Sequence, residues 1–145
     1  MARPGDRIMI GLNEAIVLAV NAHAGQTDKA GEPYILHVLR VMLAQVDIDA
    51  MTVAALHDVV EDSSITIADL AEAGWSPRIV DAVDAMTRRD GEDYFDFARR
   101  AAANTLARPV KIADLRDNLR QSDDAAAGER RSRYLRALEL IGAQP

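Results

Sequence analysis

The sequence predicts a compact, single-domain, all-α protein that spans residues 1–145. Apolar residues recur at three-to-four spacing through most of the chain, which is the period of helices with one buried face. No segment alternates between apolar and polar residues for long enough to predict a strand. Helix-start signals recur between the apolar stripes. With 145 residues, of which 49% are hydrophobic, the chain is long enough to bury one core.

Three helices are predicted in the first part of the chain. The first runs from about residue 6 to residue 24 and carries one apolar stripe. The polar stretch 25–31 interrupts it. Pro33 then falls in the first turn of a second helix, where its missing N–H costs nothing. An alanine-rich third helix is expected over about 49–60.

Caps and turns divide the rest of the chain into further helices. Thr66 and Ser76 are the predicted N-caps of two of them, and Pro77 takes the first helical position after Ser76. The remaining predicted elements are a turn at Asp90-Gly91, a helix at 92–103, a helix carrying 111–120 with Pro109 near its start, a loop at 122–128 and a closing helix at 129–141.

Composition narrows the class of protein. There is no cysteine, so disulfides and thiolate metal sites are excluded. The net charge of −6 argues against general nucleic-acid binding, which needs a basic face. The first residues lack the apolar run of a signal peptide, and no stretch approaches the ~20 apolar residues of a membrane span. We therefore expect a cytoplasmic protein that binds neither nucleic acid nor membrane, while a small anionic substrate remains compatible with local cations in a cleft.

The most informative stretch is the apolar segment that contains His57 and Asp58. Burying this pair is costly unless a partner such as a divalent metal neutralises it. Glu61 and Asp62 follow four residues later, so a continuing helix would place four polar groups on one face. The alternative is a solvated helix end, although acids at a helix C-terminus oppose the macrodipole. A cation would relieve the repulsion among the three carboxylates.

Two further residues are candidates to complete a metal site. His37 lies near the start of the second predicted helix, and the alternative is a histidine satisfied by a backbone carbonyl. Asp114 follows an apolar segment, and the alternative is a pair with Lys111 one turn earlier. Two imidazoles and two carboxylates would form a nitrogen and oxygen site suited to manganese, iron or zinc.

Four motifs together resemble those of one protein family. They are AHAGQ at 22–26, GEPYILH at 31–37, HDVVED at 57–62, and VKIAD at 110–114 followed by Asn118. Their order and spacing are similar to those of the HD-domain guanosine tetraphosphate hydrolases, which comprise the hydrolase half of the long RelA/SpoT enzymes and the small alarmone hydrolases. The resemblance covers about residues 8–140 and implies an HD-type helical bundle. It also implies a hydrolase-only member, a single HD phosphohydrolase domain over 1–145, since no sequence remains for a synthetase domain.

The resemblance further implies a reaction and a role for each site residue. The metal, usually manganese in that family, would be held by His37, His57, Asp58 and Asp114. Glu61 and Asp62 would position or activate the attacking water. Lys29 and Asn118 would contact the nucleotide substrate. The implied reaction removes the 3′-diphosphate of guanosine tetraphosphate or pentaphosphate, the alarmone of the stringent response, as pyrophosphate and leaves GDP or GTP.

The sequence departs from the family pattern at two places. Asp28 stands where the family usually has an arginine near the base, and Leu115-Arg116-Asp117 replaces the usual Arg-Leu-His. The metal set is therefore complete while the base-recognition set is altered. Arg88 or Arg116 is a candidate replacement for the missing arginine, and the favoured alternative is that both are ordinary surface arginines. Two alternatives stay open: an HD phosphohydrolase for another nucleotide, such as a nucleoside monophosphate or NADPH, and a non-catalytic regulatory module that contains a metal. An oligomer is compatible with either.

Overall fold

A computed structural model describes residues 10–122 and 127–145 of the chain. The helices in these residues are α1 (Leu12–Ala22), α2 (Tyr34–Leu43), α3 (Ile48–Leu56), α4 (Val59–Asp62), α5 (Ile67–Ala73), α6 (Pro77–Ala85), α7 (Tyr94–Ala103), α8 (Ala107–Gln121) and α9 (Gly128–Leu140). The described residues contain no strand, only an isolated bridge between Thr27 and Pro33. The all-α prediction is confirmed. None of the helices in the described ranges combines the length and the apolar character needed to cross a membrane.

The first helix starts later than the sequence predicts. α1 begins at Leu12, and the predicted start at residue 6 lies outside the described residues. The backbone N–H of Gly11 donates to the carboxylate of Glu14 at 2.8 Å, which satisfies one of the free donors at the helix start. Trp75 is buried, and its Nε1 donates to the Gly11 carbonyl at 3.2 Å. This tryptophan therefore anchors the beginning of α1 against a turn between α5 and α6.

The third predicted helix is broken at the His57-Asp58 pair, so the expectation of one helix over 49–60 is wrong. Nδ1 of His57 donates to the carbonyl of Ala54 at 2.5 Å. In a continuous helix this carbonyl would accept the backbone N–H of Asp58, so the imidazole competes with the helix for an acceptor. The pair consequently lies at the junction of α3 and α4, and not on one helix face with the two acids that follow.

Helix starts predicted from caps are found in the second half of the chain. The side chains of Thr66 and Asp69 each accept the other's backbone N–H, at 3.1 and 2.9 Å, and form a capping box at α5. Ser76 caps α6, with Pro77 at its first position. These starts depend on a few neighbouring residues, which is why sequence alone predicts them.

The last helices differ slightly from the predicted bounds. α7 begins at Tyr94, two residues later than expected, because the Asp93 carboxylate caps it by accepting two backbone N–H groups of its first turn. α9 begins at Gly128, which the sequence assigns to a loop over 122–128. Part of that predicted loop, 123–126, lies outside the described residues. α8 contains the predicted helix completely.

Two apolar clusters form the core. The larger cluster joins α1 to α7 with the first half of α8, where Val110 is fully buried. The smaller cluster joins α7 and α9 to the second half of α8 through Leu115 and Leu119. Asp114 lies on α8 between these buried residues. The helix that passes through both clusters therefore also carries a predicted metal ligand.

Candidate metal centre and adjoining clefts

The four predicted metal ligands converge at one point. His37 comes from α2, His57 and Asp58 come from the junction of α3 and α4, and Asp114 comes from α8. One potential ligand atom of each residue lies within 4.8 Å of those of the other three. Both imidazoles are buried. The fold thus brings together side chains that are up to 77 positions apart in sequence.

His57 presents one ring nitrogen to this centre. Its Nδ1 must carry a hydrogen, because the Ala54 carbonyl beside it can only accept. Nε2 is therefore the atom left to bind a proton or a metal ion. It is buried, makes no hydrogen bond with the described residues, and lies 2.9 Å from Asp58 Oδ2 and 3.5 Å from Asp114 Oδ1. A nitrogen in this position, facing two carboxylate oxygens, fits a cation placed between them.

His37 presents its Nε2 in the same way. Nδ1 of this ring lies 2.6 Å from Asp117 Oδ2, and Nε2 lies 3.0 Å from Asp114 Oδ1 and 3.9 Å from Asp58 Oδ2. Lys111 also approaches Asp114, at 3.6 Å from Oδ2, so the alternative ion pair exists beside the histidine contacts. Two imidazole nitrogens and two carboxylates suggest that the site binds a divalent metal.

Ionisation of the carboxylates suits a bound cation. Burial lowers the pKa of His37, but hydrogen bonds to Asp114 and Asp117 outweigh it and raise that pKa to about 9. Burial acts to raise the pKa of Asp114, yet the hydrogen bond with His37 and the nearby His57 imidazole hold that pKa well below its ordinary value. The pKa of Asp58 is also lowered, against burial, mainly by His57. Both carboxylates are therefore ionised at neutral pH, and a metal would displace the proton that they otherwise stabilise on the imidazoles.

The two acids of α4 have different neighbours. Glu61 Oε1 accepts the backbone N–H of Arg88 at 2.5 Å, and the side chain borders a cleft next to the four-residue centre. Burial raises the pKa of Glu61 above its ordinary value. Asp62 Oδ2 instead lies 3.9 Å from Nδ1 of His23. The catalytic roles of both acids stay predictions, and Glu61 has the more direct access to the centre.

Two clefts flank the centre. The first, here called the loop cleft, has a volume of about 360 Å³ and lies against the loop between α1 and α2. The second, the cationic cleft, has a volume of about 200 Å³ and lies beside α4 and α7. Tyr34, Asn118 and Tyr134 line both clefts. The centre is therefore open to an elongated ligand from two sides.

The loop cleft contains both predicted substrate-binding residues. Lys29 is exposed on its loop, and the Asn118 side chain donates to Asp114 Oδ1 at 3.3 Å. Arg130 of α9 lines the same cleft, and its Nε is buried without a hydrogen-bond partner among the described residues. The sequence does not single out Arg130, because it is one of several arginines at the start of a helix and no local pattern distinguishes it from the others.

Asp28 borders the loop cleft but is engaged by its own loop. Its Oδ1 accepts the backbone N–H groups of Ala30 and Glu32 at 2.9 and 3.0 Å. The adjacent Gly31 has a φ of +82°, a conformation that favours glycine. Asp28 therefore shapes the loop that carries Lys29, a role that the motif pattern does not predict.

The cationic cleft contains Arg88, Lys111 and Arg133. Lys111 is buried, with Nζ 4.2 Å from the centroid of the Phe97 ring. The guanidinium of Arg133 lies 4.8 Å from the centroid of the Tyr94 ring. Contacts with aromatic faces hold such cations without neutralising them. Three cations thus lie in this small volume beside the carboxylates of Asp58, Glu61 and Asp114, and Lys111 Nζ is 3.6 Å from Asp114 Oδ2.

Neither predicted replacement for the missing arginine lies beside Asp28. Arg88 borders the cationic cleft, and both its Nε and Nη2 donate to the carbonyl of Glu92. Arg116 is exposed and lines neither cleft, and its Nε donates to the carbonyl of Gln144 at 3.0 Å. Arg116 is therefore a surface arginine, as the favoured alternative predicts, because its position on α8 turns it toward the C-terminal residues.

Comparisons with known proteins agree with this arrangement. Residues 15–131 match a family model described as an HD domain. The chain is 34% identical over 124 residues to the guanosine-3′,5′-bis(diphosphate) 3′-pyrophosphohydrolase of Vibrio cholerae, a match that covers 75% of this chain and 17% of that protein. It is 30% identical over 152 residues to the bifunctional (p)ppGpp synthase/hydrolase SpoT of Escherichia coli, covering 94% of this chain and 21% of that protein. The chain spans about a fifth of the length of these relatives.

A solved structure is also similar. It is described by the words "A metazoan ortholog of SpoT hydrolyzes ppGpp and plays a role in starvation responses". The two structures have a TM-score of 0.72 at 26% sequence identity. The match covers 90% of this chain and 82% of the other, so the likeness extends over most of both folds.

Proposed function

Because the chain belongs to the HD domain family, we propose that it is a metal-dependent pyrophosphohydrolase. Its proposed substrate is guanosine tetraphosphate or pentaphosphate, from which it removes the 3′-diphosphate as pyrophosphate and leaves GDP or GTP. The observation that carries the proposal is the convergence of four ligand atoms beside a cleft with three cationic side chains. A relative named for this reaction supports the choice of substrate.

Mn²⁺ is the proposed cation, held by the two histidines and two aspartates of the centre. Carboxylate ligands suit Mn²⁺, and the imidazoles suit several transition metals, so the donor set is compatible with this ion. When bound, a divalent cation lowers the pKa of water toward neutrality and polarises a phosphoryl oxygen. The proposed location is the cytoplasm, where nucleotides are synthesised.

The two clefts suit the two ends of such a substrate. In the cationic cleft, Arg88, Lys111 and Arg133 would neutralise the departing diphosphate. In the loop cleft, Lys29 and Arg130 would bind the nucleoside and its 5′-phosphates. An elongated nucleotide with phosphates at both ends would thus cross the centre between the clefts.

Glu61 is proposed to accept the proton of the attacking water. Its Oε1 is held by the backbone N–H of Arg88, which leaves Oε2 to receive that proton. Asp62 is proposed to orient the water from the other side of α4. Asn118 already donates to Asp114 and would hold that carboxylate in its ligating position.

A substrate panel tests this function. The protein loaded with Mn²⁺ is offered guanosine and adenosine tetraphosphates, nucleoside monophosphates and NADPH, and pyrophosphate and phosphate are followed separately. We expect pyrophosphate from guanosine tetraphosphate. Phosphate released only from a monophosphate or NADPH would instead indicate an HD phosphohydrolase for another nucleotide. Metal binding without turnover of any of these compounds would favour the regulatory module.

Arg130 provides a sharper test of the loop cleft. Replacing it with methionine, in Arg130→Met, keeps much of the side-chain volume but removes the charge. One charge-assisted hydrogen bond contributes about 1.5–3 kcal/mol, so we expect KM for guanosine tetraphosphate to rise at least about tenfold, with kcat nearly unchanged. Steady-state kinetics measure both constants. Arg136→Met is the matched control, since Arg136 is exposed on the same helix and bonds to Glu139. An unchanged KM in Arg130→Met would remove this residue from the binding site.

A further inference from the structure

Asp117 lies behind the metal centre and lines neither of its clefts. Its departure from the family pattern predicts a change in base recognition, and the position of Asp117 contradicts that prediction. The side chain is buried, and Oδ2 is 2.6 Å from Nδ1 of His37. The contact joins α8 to α2 across 80 positions of sequence. Asp117 therefore contacts the side of the His37 ring that faces away from the centre.

Three further donors hold this carboxylate in place. Arg40 Nε donates to Oδ1 at 2.8 Å, and its Nη2 is 3.2 Å from Oδ2. Arg120 Nη2 donates to Oδ1 at 2.8 Å, and Gln121 Nε2 donates to Oδ2 at 2.6 Å. Asp117 thus has hydrogen bonds with Arg40, Arg120 and Gln121 besides its contact with His37. Because both oxygens are engaged, the carboxylate has little freedom to rotate away from His37.

One face of α8 thus contacts both nitrogens of the same imidazole. Asp114 approaches Nε2 of His37 at 3.0 Å, and Asp117, three residues later, approaches Nδ1 at 2.6 Å. His57 differs in the partner of its Nδ1, which donates to the neutral backbone carbonyl of Ala54 in α3. Among the described residues, His37 is therefore the imidazole of the centre whose Nδ1 faces a carboxylate, whereas Nδ1 of His57 faces a backbone carbonyl.

We infer that Asp117 is a positioning residue for the metal centre, which keeps the hydrogen of His37 on Nδ1 and directs Nε2 at the cation. A carboxylate behind a ligating histidine fixes the orientation of the ring and increases its basicity as a ligand. The inference rests on the proposed function only in requiring a bound metal, and it is independent of the nucleotide.

A purely structural role makes a different prediction. If Asp117 serves only to link α8 with Arg40 of α2, its loss should lower the melting temperature and leave metal affinity unchanged. If it positions His37, metal affinity should fall even in a variant that remains folded. Affinity measured on folded protein therefore separates the two roles.

The experiment is a calorimetric titration of the metal-free protein with Mn²⁺, without any nucleotide. Loss of such a hydrogen-bond partner typically weakens metal binding about 10- to 100-fold, so we expect this loss for Asp117→Ala. Asp117→Asn retains an oxygen acceptor but no charge, and should have an intermediate affinity. Asp96→Asn is the matched control, because Asp96 is an exposed helical aspartate that bonds to the arginine three residues later, as Asp117 does. It should bind at wild-type affinity.

Each outcome has a distinct meaning. Wild-type affinity in folded Asp117→Ala would overturn the inference. If circular dichroism shows that this variant does not fold, Asp117→Asn decides the question, and wild-type affinity there overturns it. A wild-type protein that binds no Mn²⁺ would overturn the metal centre itself. Failure to hydrolyse guanosine tetraphosphate would overturn the proposed substrate alone, since the titration contains none.

Discussion

Replacing Asp58 with alanine is expected to remove both the metal and the hydrolysis. Asp58 Oδ2 lies 2.9 Å from Nε2 of His57 and 3.9 Å from Nε2 of His37, where it balances the charge of a cation. Loss of a single preorganised stabiliser costs about 10²–10³-fold in rate, so loss of the metal should cost more than about 10³-fold. Elemental analysis after gel filtration measures the metal, and pyrophosphate release measures the rate.

Asp81→Ala is the matched control for this variant. Asp81 is an exposed aspartate of α6 that borders neither cleft. This control should retain the metal at wild-type stoichiometry. Full metal content in Asp58→Ala would contradict a ligand role for the carboxylate.

Glu61→Gln is expected to keep the metal and lose about 10²–10⁴-fold in kcat, the usual contribution of a general base. Glutamine retains an oxygen for the backbone N–H of Arg88, but its amide cannot take a proton from water. Burial raises the pKa of Glu61 toward the range in which proton transfer at neutral pH is efficient. Metal content and kcat are measured on the same preparation.

A second glutamate separates this effect from simple loss of charge. Glu72→Gln removes one exposed carboxylate from α5, which borders neither cleft. Its kcat and metal content should equal those of the wild type. If Glu61→Gln also retained wild-type kcat, another group would have to accept the proton, and Asp62 would be the next residue to replace.

The fold was predictable where a few neighbouring residues decide it. The capping box of Thr66 and Asp69 and the Ser76-Pro77 start depend on local hydrogen bonds and backbone angles, which a sequence displays directly. The break at His57 was not predictable in this way. There the imidazole of His57 donates to the Ala54 carbonyl, which would otherwise accept a backbone N–H of the helix. The spacing of apolar residues gives no information about that competition.

The four residues of the metal centre could be predicted from the sequence, but the residues that position them or line the adjoining clefts could not. Two histidines and two aspartates were named from motifs, and the structure brings them together. Asp117 was misinterpreted because its contact with His37 spans 80 positions and leaves no local pattern. Arg130 was missed for a similar reason, since only the packing of α9 against the loop cleft distinguishes it from neighbouring arginines. The spacing of residues along the sequence therefore does not reveal which single polar side chains meet when they are far apart in the chain.

The path of α8 constrains how this protein can evolve. Val110 is embedded in one apolar cluster and Leu115 in the other, and Asp114 occupies the short interval between them. A volume change in either cluster that shifts α8 along its axis would move an oxygen of Asp114 relative to two imidazoles fixed on other helices. A substitution that changes the volume of one cluster is therefore expected to disturb the metal centre unless a change in the other cluster restores the position of α8.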